Sequence, residues 1–557
     1  MLPELLSPAG SPEALRAAVA AGADAVYIGG SAFNARINAT NFTIEQIKEA
    51  ADYCHKRGVR LHVTVNILIL DREMPQALEY IKQLYLAGVD AIICADMGLA
   101  KEVHRLFPDL ELHGSTQMSG HNLEAAKLMA DMGFARMVTA REMKREDIAS
   151  LCKTSPIDIE IFIHGAICVS HSGQCLMSSL IGGRSGNRGL CAQPCRMQYN
   201  GSYPLSIKDM CLATHIPEII DMGVRSLKIE GRMKSPDYVY GVTRIYRRLL
   251  DEKRAATPNE IKELEALFSR SGFTDGYYVG KISKAMNGIR SDADKAATYR
   301  SAKKQTEAKP KAEIEPYNRS FNGEIELSDY TKQKAAKCLS ARFYDPNTIP
   351  KDNPFDIVYL PLDIYDPKKA NGVLLPPVIY DADKQKVIDK VKQLCPEHIM
   401  ITNIGQLDIA RQSGAHIHGD FRLNAFNARS AAALIELGLE DVILSPELTL
   451  AQIRDIIVPK SVIIYGAQPL MLLEKRLMQK ELRDRKNARF PVITESGRDI
   501  LFNSQVTYML DREKDLKNAF INNRHFIFST ETREEVKAVI SAYEKHTPKN
   551  GGIRRIK

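Results

Sequence analysis

The sequence predicts an α/β protein: a (β/α)8 TIM-like barrel followed by a degenerate second copy of the same unit. Two observations predict it. Between residues 4 and 231, short β-branched or apolar runs alternate with amphipathic helix patterns eight times, and such alternation builds a parallel sheet covered by helices. In addition, residues 113–148 align without gaps to residues 418–453 at a constant offset of 305, the mark of a duplicated unit.

The candidate strands are Glu4–Ala9, Ala25–Gly30, Arg60–Asn66, Ala91–Asp96, Glu111–Thr116, Arg136–Glu142, Asp158–Gly165 and Ser226–Gly231. Helix patterns such as SPEALRAAVAAG and TIEQIKEAADYCHKRG lie between them. They open on Ser or Thr caps and close on Gly, as helix termini do. In this fold, chemistry sits at the C-terminal ends of the strands. There the sequence places Asn34, Arg36, Asn66, Asp96, His113, Gln117, Arg141, Glu142, His164, Lys228, Glu230 and Arg232, a strongly polar rim.

The repeat pairs His113 with His418, Asn122 with Asn427, Gly133 with Gly438 and Glu142 with Glu447; IFIHG at 161–165 is echoed by VIIYG at 462–466. The copy is worn. Gln117 becomes Arg422 and His164 becomes Tyr465, which predicts a structural or substrate-binding role for the second half. The expected organisation is a barrel over 1–290, a charged, Pro-containing linker over 291–330, the second copy over 331–545 and a short basic tail over 546–557.

With 557 residues, 44% hydrophobic and 26% charged, the composition is that of a globular protein with two cores. No apolar run reaches the ~18–20 residues that span a bilayer. The N-terminus has neither the basic nor the apolar region of a secretory signal, so the expected location is cytoplasmic. A net charge of +8 permits an anionic partner such as RNA without demanding one.

Ten cysteines in such a chain do not suggest a disulfide framework. Cys54, Cys94, Cys152, Cys211, Cys338 and Cys395 are scattered and read as small buried hydrophobes. The other four follow the spacing Cys168-x6-Cys175-x15-Cys191-x3-Cys195. Four thiolates can close a zinc site or hold a 4Fe–4S cluster. Zinc sites usually use two short Cys-x2–4-Cys knuckles, so the wide, uneven spacing favours the cluster.

The run from Glu160 through Phe162, His164, Gly165 and Cys168, then Ser170, Gly173, Cys175 and Ser178, resembles the signature of the peptidase U32 family. GRSGNRGLCAQPCRMQY (183–199), LSIKDM (205–210) and GVRSLKIEGRMKSPDYV (223–239) extend the resemblance. That family was named for collagenase-like proteases, and it includes oxygen-independent hydroxylases of tRNA uridine and rRNA cytidine. The resemblance implies a 4Fe–4S cluster on the four cysteines, prephenate as co-substrate and RNA as partner. Arg184, Arg188, Lys228 and Arg232 would then hold a dicarboxylate by charge-assisted hydrogen bonds. His113, Gln117, His164 and Glu230 would orient the substrate or move protons. The implied product is a 5-hydroxypyrimidine, rRNA cytidine ranking ahead of tRNA uridine.

Two alternatives stand beside the hydroxylase: a U32-type peptidase and a non-catalytic iron–sulfur accessory protein. The sequence has no G-x-S-x-G elbow and no H-E-x-x-H helix. A Cys168–His164 pair is the remaining route to proteolysis, and a cluster-bound thiolate is no free nucleophile.

Overall fold

The computed structural model describes residues 2–37, 39–292, 294, 311–333 and 336–548. All eight expected strands form. They are β1 (Glu4–Pro8), β2 (Ala25–Gly29), β3 (Arg60–Val65), β4 (Ala91–Cys94), β5 (Glu111–Gly114), β6 (Phe134–Val138), β7 (Asp158–Gly165) and, after two further strands, β10 (Ser226–Ile229). Each pairs in parallel with the next, and β10 closes the barrel by pairing with both β7 and β1. Of the intervening elements, β8 (Ser170–Cys175) leaves the barrel, while β9 (Asp209–Cys211) pairs antiparallel with the end of β7 and carries β11 (Phe273–Thr274).

The second half closes a barrel of its own. Its strands are β12 (Cys338–Phe343), β13 (Ile357–Pro361), β14 (Gly372–Leu374), β15 (His398–Ile401), β16 (His416–Gly419), β17 (Asp441–Ile443), β18 (Lys460–Leu473) and β22 (Asn523–Phe528). Closure runs through parallel pairing of β18 with β17 and β22, and of β22 with β12. The 305-residue offset is structural as well. Helix Leu123–Asp131 matches helix Ala428–Glu436, capped by Asn122 and Asn427 in turn. The left-handed residues Ser119 and Asn424, at φ 57° and 55°, follow equivalent single turns.

Where the copies differ is at β18. It runs past the barrel rim and pairs antiparallel with β21 (Arg498–Tyr508), which continues to β20 (Arg489–Glu495) and β19 (Glu481–Arg483). On its other side it takes up β8 of the first copy.

The barrels meet across a pseudo-two-fold seam. Asn427 donates to Ile69 O and Asp96 Oδ2, both at 2.8 Å, and the N–H of Ala428 donates to Asp71. Its counterpart Asn122 donates to Ile379 O at 2.9 Å and Gly405 O at 3.1 Å, and the N–H of Leu123 donates to Asp381. Glycines sit opposite both asparagines for want of room: a Cβ on Gly98 would lie 2.7 Å from Asn427 Oδ1, and one on Gly405 2.1 Å from Asn122 Oδ1.

Residues 311–330 form no regular element and run along the first barrel as a strap. Ile314 N–H donates to His55 O, Tyr317 Oη to Asp90, and Phe321 packs on Phe107. Residues 293 and 295–310 of the expected linker and 549–557 of the expected basic tail lie outside the described residues. Of the six scattered cysteines, Cys54, Cys94 and Cys211 are buried, Cys152 and Cys338 are half-buried, and Cys395 is exposed because it ends helix Asp381–Leu394 in a left-handed turn.

Asn427→Ala removes a helix cap and strands two buried acceptors of the other barrel. The expected loss is about 2–4 kcal/mol, read as a lower urea midpoint at unchanged slope, and Asn122→Ala should behave alike. Shifts within ~0.5 kcal/mol for both would show that these residues do not hold the seam.

Candidate active site at the mouth of the first barrel

The barrel interior carries two polar layers of different character. The deeper one is buried and charge-compensated. Arg136 Nη1 donates to Glu4 at 2.6 Å and to Glu160 at 3.2 Å, Lys228 Nζ donates to Glu160 at 2.8 Å, and Ser226 donates to Glu4. Burial works against the Glu160 charge, but Lys228 and Arg136 outweigh it and hold the carboxyl at about 2. His113 belongs here, edge-on to His62 and 3.2 Å from Glu111. Burial pushes both imidazoles below their ordinary range. His113 and Lys228, expected at the rim, therefore lie one layer down, because their side chains turn inward toward charged partners.

The upper layer is the mouth, and it is not compensated. Glu230 accepts from Arg36 at 3.2 Å and from Arg141 at 3.1 Å. Arg141 also stacks 3.8 Å over the Phe162 ring and donates to Ala166 O at 3.0 Å. The buried Arg232 donates to Thr64 Oγ1 at 2.9 Å and Asn34 Oδ1 at 3.3 Å, both neutral acceptors. Its guanidinium occupies the space a Cβ on Gly29 would need, 2.1 Å from Nη1. Three guanidiniums thus surround one carboxylate. Despite its burial, Arg36, Arg141 and Arg232 hold Glu230 at about 2, while burial and then Arg36 press Arg232 down to about 10.

The four cysteines sit beside this mouth on the segment that follows β7. Ala166, held by Arg141, is two residues from Cys168, and Arg141 and Arg36 both stabilise the Cys168 thiolate against the burial that raises its pKa. Burial pushes the Cys195 thiol up to about 12, with Cys168 acting in the same sense, and burial also raises Cys175 well above the ordinary thiol range. Each of these three thiols responds to the charge of others in the set, Cys191 included. The Met177 N–H faces the Cys175 sulfur, and the Gln193 N–H donates to Cys191 Sγ at 3.3 Å. Gly186 leaves open the space beside Cys191, whose Cβ would stand 3.7 Å from an added methyl. Among the described residues, no group of three or more His, Cys, Asp or Glu side chains is gathered as ligands of a metal ion.

The remaining expected residues are dispersed. Arg188 makes two hydrogen bonds to Glu73, at 2.7 and 2.9 Å, and a third to Leu68 O, so it anchors the cysteine segment to the barrel. Arg184 is exposed and donates to Leu190 O. Gln117 lies half-buried after β5 with its Oε1 unpartnered, under Gly173. His164 packs among Tyr238, Tyr246 and Phe273, and burial presses it to about 3. A cluster the sequence reading left unassigned spans both barrels: Ser172 donates to Glu142 at 3.0 Å, His171 stands 3.5 Å from Glu142, and Tyr380 donates to Glu474. Burial raises Glu142 to about 7. Of its members only Glu142 was legible, as a rim position; His171, Ser172 and the partners at 380 and 474 had no local pattern.

A family model matches both halves of the chain, and the curated relatives match about half of it. The model of Peptidase family U32 matches residues 10–288 and 379–543. A 23S rRNA 5-hydroxycytidine synthase of Escherichia coli is 40% identical over 295 residues, covering 51% of this chain and 44% of that protein. A tRNA hydroxylation protein of Bacillus subtilis is 40% identical over 282 residues, covering 48% and 67%. A collagenase of Porphyromonas gingivalis is 34% identical over 309 residues, covering 50% and 74%. The match therefore spans less than half the length of the Escherichia coli synthase. With the family model matching well over half of the chain, in both barrels, this chain belongs to peptidase family U32.

Proposed function

We propose that the protein hydroxylates a pyrimidine in RNA at C5 without molecular oxygen, using prephenate, with a 4Fe–4S cluster on Cys168, Cys175, Cys191 and Cys195. The carrying observation is the uncompensated mouth: Arg36, Arg141 and Arg232 face a single carboxylate, beside Cys168. An excess of guanidinium in a recess suits a ligand with two carboxylates. The relatives named for RNA hydroxylation favour RNA as the second substrate, with rRNA cytidine ahead of tRNA uridine.

The chemistry of the four thiols, rather than a gathered ligand geometry, is what supports the cluster. Four thiols lie on one segment, backbone N–H groups face two of the sulfurs, and thiols that repel one another's charge ionise together when a cationic centre offsets them. When bound, such a cluster supplies electron transfer or a site for an oxygen donor. The chain's own residues do the rest. Arg232 and Arg141 bind the carboxylates, Glu230 fixes the two guanidiniums it touches, and the Phe162 ring under Arg141 limits the guanidinium to one plane. A target base must leave its stack to reach this depth.

The peptidase reading is weaker here. Its Cys168–His164 pair needs an imidazole that takes up a proton, and His164 is enclosed by three aromatic rings and held near 3.

Anoxically purified protein should carry about four irons and four sulfides per chain, and Cys→Ser at any of the four positions should empty it with circular dichroism retained. Stoichiometric zinc without iron would count against the cluster. For the mouth, Arg232→Met removes a cation whose partners are neutral, so no carboxylate is left bare. It should weaken prephenate binding by roughly 10–100-fold, the value of a charge-assisted hydrogen bond, at unchanged iron content. Nucleoside mass spectrometry of rRNA and tRNA from a deletion strain tests the whole reading; unchanged 5-hydroxypyrimidines in both fractions would end it.

A further inference from the structure

Beyond the mouth, the second barrel builds a basic projection that the proposed chemistry does not use. Between 475 and 489 the chain holds seven Lys or Arg and two Asp or Glu, in a protein whose net charge is only +8. The segment includes β19 and the start of β20. Arg476 and Arg483 are neutralised by Asp499 and Glu481. Lys480, Arg485, Lys486 and Arg489 are exposed, and among the described residues none has a carboxylate partner.

The turn that presents them is preformed. Asp484 Oδ1 accepts from the N–H groups of Lys486 at 2.8 Å and Ala488 at 2.9 Å, and Asn487 closes the turn at φ 61°. The carboxylate is thus spent on the backbone rather than on a neighbouring cation. At the base of the hairpin Met478 is 80% exposed.

The hairpin is docked on the cysteine segment. Asn200 N–H donates to Arg483 O at 2.9 Å, Arg483 N–H returns a bond to Asn200 Oδ1 at 2.8 Å, and the Asn200 amide donates to Gln479. Tyr199 packs edge-on to Phe490 and donates to Pro194 O, next to Cys195. A strand extension of the worn copy therefore holds free cations against the segment that borders the active mouth.

We propose that this hairpin docks the phosphate backbone of the RNA whose base enters the first barrel. The inference rests on the RNA reading above. Preformed, unpaired cations recognise a phosphate chain without base preference, and sequence choice is left to the mouth. An anionic membrane is the competing polyanion, but a single exposed Met at the base gives little apolar face to insert.

The test uses the full-length, cluster-loaded protein and a fluorescently labelled, mixed-sequence, single-stranded RNA oligonucleotide, titrated at several KCl concentrations. The variant combines Lys480→Gln, Arg485→Gln, Lys486→Gln and Arg489→Gln. The control combines Lys48→Gln, Lys262→Gln, Lys386→Gln and Lys537→Gln, exposed lysines on four separate helices. The hairpin variant should bind at least about tenfold more weakly, and its log–log salt slope should be shallower by roughly 3, at about 0.7 per lost single-strand phosphate contact. Iron content should match the unsubstituted protein. If that protein binds and both variants lose affinity equally, the hairpin proposal falls and the RNA reading stands. If the unsubstituted protein binds no RNA at low salt, both fall. Binding to phosphatidylserine vesicles, lost only in the hairpin variant while RNA binding persists, would also overturn it.

Discussion

The antiparallel pairing of β8 with β18 is the contact on which the site depends. It sets Cys175 opposite Met471 and Ser170 opposite Leu473, and the Leu176 N–H adds a bond to Leu470 O at 2.8 Å. The segment between β7 and β9, carrying four cysteines on its own, would be a long surface loop with little to bury. Taken into the sheet of the second barrel, it gains a backbone ladder on one side and the first-barrel rim on the other. The second copy has no counterpart of the four clustered cysteines, yet it supplies the frame in which they are held.

Electrostatic contrast separates scaffold from receiving site. In the deeper layer each cation has its carboxylate, so the charges cost little and leave nothing to bind. At the mouth the same types of side chain are arranged three to one. Both layers look alike in composition, and what distinguishes them is which partners the barrel register brings within reach. His113 illustrates this. It is a polar residue near a strand end, but the inward phase of β5 commits it to the compensated layer.

How much was legible follows from the range of each signal. All eight strands of the first barrel could be read because each is a local apolar run bounded by a turn. The duplication could be read because Asn122 and Asn427, with the turns before them, repeat at one offset. The cysteine set is likewise local, spanning 28 residues. By contrast, Arg36 and Arg141 were visible as rim positions, but their convergence on Glu230 joins residues 194 and 89 apart. Arg188 looked available because its partner Glu73 is 115 residues away. Likewise, no alignment of the two halves shows β18 running beyond its barrel, since the first copy has no equivalent extension.

The seam between the barrels has a consequence for how such a chain is put together. Each half presents an asparagine-capped helix start and the loop carbonyls and carboxylate that receive the same feature from the other half. An interface of that kind is isologous: donor and acceptor surfaces both exist on one unit, and two units mate through a closed two-fold with nothing left over. A lone barrel of this design would therefore already own a complete dimerisation surface. Tethering the two in one polypeptide fixes their stoichiometry at one to one and makes the pair permanently unlike, so that a single cysteine segment can be shared instead of two being built.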